Sequence, residues 1–581
     1  MKHLFPTSKG ESNMNRSITT ESHPATPVRL ARRQFLLLGG GVAGAWLTGL
    51  PPGRATVQAA PTLLPSVESA PVGDIDRRTE AAYQCRLQAA ERLRQSVIVT
   101  HPTNGDEARY PTPIGNFSKG LPHNALGEVE PAAYQALVEA MAGQRDCETI
   151  PLGGQLKLAN PQATFAFDLA GMDAHNFTLP PAPAFASAEL AAELVELYWQ
   201  ALTRDVPFAD YGQALLTTTA IADLQRFPGY AQVDATTLFR GATPGDWAGP
   251  YLSQFLYLPV PYGALTMEQR YQVPAAGDDH LTVFDEWLAV QNGAPIAKTT
   301  ILDATPRYLR NGRDLGEYVH LDFTYQAFLN AALILNKLGK AALNPTNPYG
   351  QSANQGGFVT FGAADILSMV SGIACTALKA AWAQKWLFHR HLRPEEFGGR
   401  VHQQQRGQAN YPLHPALFDA AVVERIYSRF GSYLLPVAYP EGAPCHPAYP
   451  AGHATIAGAC VTLLKACYNE AFVLPNPQTP AADGLSLTPY RGSAELTVGG
   501  ELNKLAANIA FGRNAAGVHW RSDASQGLLL GEALAISVLA DLALTYHEPF
   551  DGFSFTRFDG RSIVVAGKNL LFEEGGLPNG T

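Results

Sequence analysis

Cysteine is scarce. The chain has six in 581 residues and no closely spaced pair, which excludes a disulfide-built scaffold and a paired-cysteine zinc site. Charged residues reach only 16 %, no lysine- or arginine-rich run occurs, and the formal net charge is −9. That balance counts against nucleic acid or an anionic membrane surface as the partner. No HExxH zinc motif and no GxSxG nucleophile elbow occur either. The lack of a repeat period or low-complexity block argues against a purely structural protein. What is plentiful is apolar: 46 % of residues are hydrophobic, a globular composition. At roughly 100–200 residues per domain the length allows three to five domains, or one large helical enzyme core.

The first sixty residues read as an address. Arg32-Arg33-Gln34-Phe35-Leu36 precedes an apolar stretch from Leu37 to Leu50, and small residues follow near Ala59-Ala60. Basic region, apolar core and cleavage-like site in that order form a secretory signal. Paired arginines before Phe-Leu resemble the twin-arginine signal, which exports folded proteins. A membrane anchor is the alternative, but fourteen apolar-stretch residues with five glycines fall short of a span of about 20. Gly39 to Gly44 satisfies GxGxxG, yet no strand precedes it and no βαβ unit follows, so a dinucleotide site is rejected. Residues 1–59 carry seven basic and two acidic side chains, so the exported chain is near −14. Export permits disulfides, although the sequence does not pair its cysteines.

Beyond the leader, 60–315 reads as a helical and loop-rich region and 316–581 as a helical catalytic region. Helices are expected over 74–97, 186–204 and 321–338, with loops over 98–130 and 225–315 and a short hairpin within 256–273. In the C-terminal region Ile366, Val370, Ile373, Ala377 and Ala381 recur at three- and four-residue spacing and predict one long helix. Further helices are expected over 452–472, 501–511 and 523–546, the last interrupted by Glu532 and Asp541 so that no stretch reaches membrane-spanning length. Strand-like alternation is rare. The expected fold is mainly all-α, a helical bundle with long loops and a few short strands.

Three clusters carry chemistry. Lys385 and Arg393 stand eight residues apart across a helix end that Pro394 terminates, so both cations can converge on one anion. The plainer alternative is a solvated basic helix end. Next, His446-Pro447-Ala448-Tyr449-Pro450-Ala451-Gly452-His453 runs into an apolar helix. Backbone N–H groups at that helix start, approached closely at Gly452, make an oxyanion cradle with His453 at its rim and His446 upstream. Third, Arg513 is followed by Gly517, His519 and Asp523, and the carboxylate four residues on is placed to orient the imidazole. A structural histidine beside a helix-capping aspartate would give the same spacing.

Taken in order, Lys-x7-Arg-Pro, Pro-Ala-Gly-His and Arg-x5-His-x3-Asp resemble the signature shared by type 2 phosphatidic acid phosphatases and vanadium-dependent haloperoxidases. The run Lys385-Trp386 to Arg393-Pro394-Glu395, the histidine seven before His453, and Gly512-Arg513-Asn514-Ala515-Ala516-Gly517-Val518-His519 are similar to the bromoperoxidase branch. The likeness covers about residues 355–545. It implies that Lys385, Arg393, Gly452 and Arg513 hold the equatorial oxygens of vanadate, with His519 as axial ligand to the metal. His453 would be the acid–base group, Lys385 would polarise peroxide, and His446 would be a second active-site histidine, ionising near neutral pH and favouring bromide or iodide over chloride. The implied reaction takes hydrogen peroxide and halide to hypohalous acid, which halogenates small organic acceptors. The implied assembly is a homo-oligomer. A soluble acid phosphatase using His519 as nucleophile is the alternative. One departure stands out: the family usually has Ser where this chain has Ala451.

Overall fold

Alanine- and leucine-rich runs fold as the helices their spacing encodes, and small residues decide how closely those helices meet. The computed structural model describes residues 75–566 and the backbone of 570–572; the leader at 1–59 lies outside them. An amphipathic surface helix, Ile75–Arg94, opens the described chain. The helices that shape the site are numbered here in chain order: α1 Ala188–Thr203, α2 Gly312–Leu321, α3 Gln326–Leu338, α4 Ala363–Ala383, α5 Pro394–Gln405, α6 Gly452–Cys467, α7 Val498–Ala515 and α8 Arg521–Leu542.

Strands are few and short. Val260–Tyr262 pairs antiparallel with Leu265–Met267, inside the expected hairpin. Gln478–Pro480 pairs with Leu487–Pro489, and Phe553–Thr556, Ser562–Val565 and Leu570–Phe572 form a three-stranded sheet. The fold is mainly α, as the sequence implies.

The core of the bundle is the meeting of α6 and α8, and glycine makes it possible. A Cβ on Gly458 would sit 2.1 Å from the Leu528 carbonyl oxygen, and one on Gly531 2.1 Å from that of Thr455. Only bare Cα atoms permit this approach. Val370, Ala377, Leu464, Leu505 and Leu530 fill the surrounding core. A second core joins α1 to α5 through Trp199, Phe397 and Trp520.

Three local expectations are corrected. The helix expected over 321–338 begins only at Gln326, because Leu321 ends the preceding helix and Asp322 turns to extended backbone at φ −66°, ψ 146°. Residues 312–315, expected as the end of a loop, already belong to the helix Gly312–Leu321, started by Asn311, whose side-chain oxygen accepts the Asp314 N–H at 2.9 Å. Spanning length is reached after all: Ala363–His389 and Arg521–Leu542 are long and apolar enough by composition to cross a membrane. Both pack against α6 through residues of one continuous core. All six cysteines are free thiols.

Candidate functional site

The site begins where α4 ends. After Ala383 the helix widens into a π turn over Gln384–His389, and Arg390 takes a left-handed conformation with φ 39°. Arg393 is extended because Pro394 follows it, and Glu396 accepts its backbone N–H at 2.6 Å, fixing the start of α5. These breaks aim Lys385 and Arg393 inward. Both side chains are fully buried.

Lys385 Nζ donates to the carbonyls of Pro447 at 2.7 Å and Ala448 at 2.6 Å, so the lysine and the loop before α6 brace each other. Arg393 is the hub. Its Nε donates to the His446 carbonyl at 2.9 Å, Nη2 to His446 Nδ1 at 2.9 Å, and Nη1 to the Val518 carbonyl at 2.8 Å and His519 Nε2 at 2.9 Å. A guanidinium only donates, so His519 Nε2 is the acceptor of its bond, whereas His446 Nδ1 lies between the Arg393 donor and the Pro447 carbonyl at 3.1 Å. The His519 proton therefore sits on Nδ1, which donates to Asp523 Oδ2 at 2.8 Å. The same oxygen accepts the Trp520 N–H at 3.0 Å. One carboxylate thus caps α8 and orients the imidazole, so the capping and the functional readings of Asp523 both hold.

Arg513 enters from the last turn of α7. Its Nη1 donates to the Val319 carbonyl at 2.8 Å and to the Tyr439 hydroxyl at 3.2 Å, and its carbon lies 5.2 Å from the Tyr439 ring centre. Its Nε is buried with no protein partner. Gly452 opens α6 beneath Leu378 and Trp382, and Ala451, the residue before it, gives no side-chain cap to the first-turn N–H groups. His453 faces outward, its side chain 30 % exposed, with Nε2 bonded to Asp322 Oδ1 at 3.1 Å.

Electrostatics set protonation. Burial, and then the Arg393 charge, push Lys385 well below its ordinary range. Burial lowers Arg393 to about 10 and raises Asp523 to about 7. Burial followed by Arg393 and Lys385 drives His519 and His446 well below the usual histidine range. His446 is therefore neutral at neutral pH, not half-ionised as its residue type implies, because two buried cations face it. Three buried cations with Asp523 as their near carboxylate, an orphaned guanidinium N–H and an uncapped helix start fit a bound oxyanion carrying more than one negative charge. Among the described residues no cluster of three or more histidine, cysteine or acidic side chains is arranged to cage a metal cation.

Arg393 touches His446 and His519 directly and Lys385 reaches the His446 loop, whereas Arg513 bonds Val319 and Tyr439 and His453 bonds Asp322. Several supports escaped sequence reasoning. Asp322 lay inside an expected helix. Ser118, in a presumed loop, bonds Glu396 through its N–H at 2.7 Å and its hydroxyl at 2.8 Å. Lys119 pairs with buried Glu395 at 2.6 Å. Asp322 between Leu321 and Phe323 gave a weak helix-boundary signal; the others gave none.

Residues 366–547 match the family model described as the VCPO second helical-bundle domain. The chain is 36 % identical to a vanadium-dependent bromoperoxidase of Ascophyllum nodosum, over 86 % of this chain and 93 % of that protein. It is 34 % identical to the vanadium-dependent bromoperoxidase of Corallina pilulifera, over 85 % of this chain and 100 % of that one. Among solved structures, the homohexameric second vanadate-dependent bromoperoxidase of Ascophyllum nodosum superposes with a TM-score of 0.81 at 30 % identity, covering 88 % of this chain and 95 % of that one.

Proposed function

The chain belongs to the vanadium-dependent bromoperoxidase family, and from that premise we propose that it is a haloperoxidase of bromide or iodide. One hydrogen peroxide, one halide and one proton yield one hypohalous acid and one water, and the hypohalous acid halogenates organic acceptors. The observation that carries this reading is the convergence of Arg393 on His519 and His446 within a pocket that holds two further buried cations.

Vanadate is the cofactor of this reading, and when bound it supplies Lewis acidity without a change of oxidation state. Lys385, Arg393, Arg513 and the Gly452 N–H would hold its oxygens. His519 Nε2 would bind the metal in exchange for its hydrogen bond from Arg393, since the ring is neutral and its proton is on the far nitrogen. Asp322 holds His453 through Nε2, which leaves Nδ1 to accept and return the proton of peroxide at the pocket rim. His446, neutral and with its ring centre 4.8 Å from that of Trp382 in a tilted arrangement, is the side chain that would contact the reacting oxygen or halide.

The catalytic groups fall in 316–581, and 60–315 supplies buttresses such as Ser118 and Lys119. The Arg32-Arg33 leader supports export as a folded protein. The homohexameric relative supports a homo-oligomer, for which light scattering above the 62.3 kDa of one chain is the check. The decisive assay for the activity compares bromination of phenol red with orthovanadate added against hydrolysis of p-nitrophenyl phosphate without it. Peroxide- and bromide-dependent dye bromination is expected; phosphate release without bromination would overturn the proposal.

A further inference from the structure

Of the three buried cations, Arg513 keeps the most donors open. Arg393 spends Nε and both terminal nitrogens on the His446 and His519 loops. Lys385 spends two of its three N–H groups on carbonyls. Arg513 bonds the protein through Nη1 alone, whose two N–H groups meet the Val319 carbonyl at 2.8 Å and the Tyr439 hydroxyl at 3.2 Å. Among the described residues its Nε and Nη2 meet no acceptor. A guanidinium is a rigid planar fork, so fixing Nη1 decides where the edge made by Nε and Nη2 points.

Tyr439 is placed to do that fixing. Its hydroxyl gives its only proton to the Gly316 carbonyl at 2.6 Å, which leaves lone pairs to accept from Arg513. One partner satisfies a buried tyrosine; the second one here is a cation of the site. Burial pushes the hydroxyl well above the ordinary phenol range, so it stays a neutral acceptor. The ring is buried, with the Arg513 carbon 5.2 Å from its centre and the His320 ring stacked 3.8 Å away. His320 is held in turn by Glu317 at 3.1 Å and Glu441 at 2.6 Å. Gly316, Val319 and His320 all belong to the C-terminal half of α2. One short stretch of helix thus supplies the carbonyl on Nη1, the carbonyl on the tyrosine and the histidine on its ring.

We propose that Tyr439 is a positioning residue of the oxyanion site: with the Val319 carbonyl it holds Arg513 by Nη1, so that Nε and Nη2 together face the bound oxyanion as a two-point donor. The proposal rests on the reading of Arg513 as an oxyanion donor and not on bromide oxidation.

The test is calorimetric titration of orthovanadate into the metal-free full chain, without peroxide or halide, for wild type, Tyr439→Phe, Arg513→Lys and the double variant. Tyr439→Phe keeps the ring against His320 and removes only the hydroxyl. Arg513→Lys keeps the charge, and so measurable binding, but substitutes a point charge that has no edge to aim. Tyr439→Phe should weaken vanadate binding about tenfold beside Arg513 and less than about twofold beside lysine. A hydroxyl that merely supports the fold would cost the same factor in both backgrounds. That result, or unchanged affinity in Tyr439→Phe, would overturn the proposal while leaving Arg513 as a donor. Equal affinity in wild type and Arg513→Lys would overturn the donor reading of Arg513 and the proposal with it.

Discussion

Ala451 is the residue where this chain departs from the pattern it otherwise follows, and the structure says what the departure costs. It is fully buried at the N-cap of α6, where its N–H donates to the Asp523 carbonyl at 2.9 Å and its methyl caps nothing. A serine there has two uses: its oxygen accepts a first-turn N–H, and its proton is free for the oxyanion. Ala451→Ser is expected to tighten vanadate binding by about one to two decades and to raise stability by ~1 kcal/mol. Vanadate titration and urea denaturation of the pair of proteins measure both effects. Asp322 is the complementary case, since it touches only His453 among the catalytic groups. Asp322→Asn should lower bromination about ten- to a hundredfold while vanadate affinity stays within about threefold, because no cofactor contact is altered. Equal losses in rate and affinity would place Asp322 in the binding shell instead.

Elements position those residues, and two contacts between elements are open to measurement. The α6–α8 seam depends on Gly458, where alanine would normally stabilise a helix interior by roughly 0.5–1 kcal/mol. Here the added Cβ meets the Leu528 carbonyl at 2.1 Å, so the sign reverses. Gly458→Ala should destabilise by about 1–3 kcal/mol in urea unfolding and also weaken vanadate binding, since α6 and α8 carry Gly452 and the His519 support. The second contact joins the end of α2 to the loop before α6. His320 stacks 3.8 Å from Tyr439 and bonds Glu317 at 3.1 Å and Glu441 at 2.6 Å. Burial pulls the imidazole down, but the two carboxylates outweigh it and lift it to about 9. A raised folded value means the stabilisation is complete below the unfolded value of about 6.5 and fades as pH rises through about 9. At most ~3 kcal/mol is involved. The stability gap between wild type and His320→Gln should therefore close between pH 6.5 and 9.5; a gap that widens with pH would contradict the pairing.

The same elements show what a sequence exposes. Helices α4, α6 and α8 were legible because their apolar spacing is set by one continuous core. Boundaries slipped where a polar contact rather than periodicity ends the helix: Asp322 leaves α2 to reach His453, and α8 starts at Arg521 because Asp523 caps it. The cations and histidines of the site were legible as three clusters, since local breaks at Pro394, Gly452 and Gly517 aim them. Tyr439, Ser118 and Lys119 were not, because they meet the site only through long-range packing that leaves no local pattern.

At the scale of the molecule, the site is a shared product of distant segments. Ser118 and Glu396 are 278 positions apart, and their bonds stand directly behind Arg393. Such support keeps three cations together at a cost in mutual repulsion that Asp523 offsets in part and a bound oxyanion relieves further. That makes anion binding the hinge of the whole account. The most direct measurement is bromide oxidation by the full chain stripped of metal and titrated with orthovanadate, wild type beside His519→Ala. No bromination is expected before vanadate, with activity saturating at one vanadate per chain and none in folded His519→Ala at any vanadate level. Bromination by the stripped protein, or undiminished bromination by His519→Ala, would contradict it.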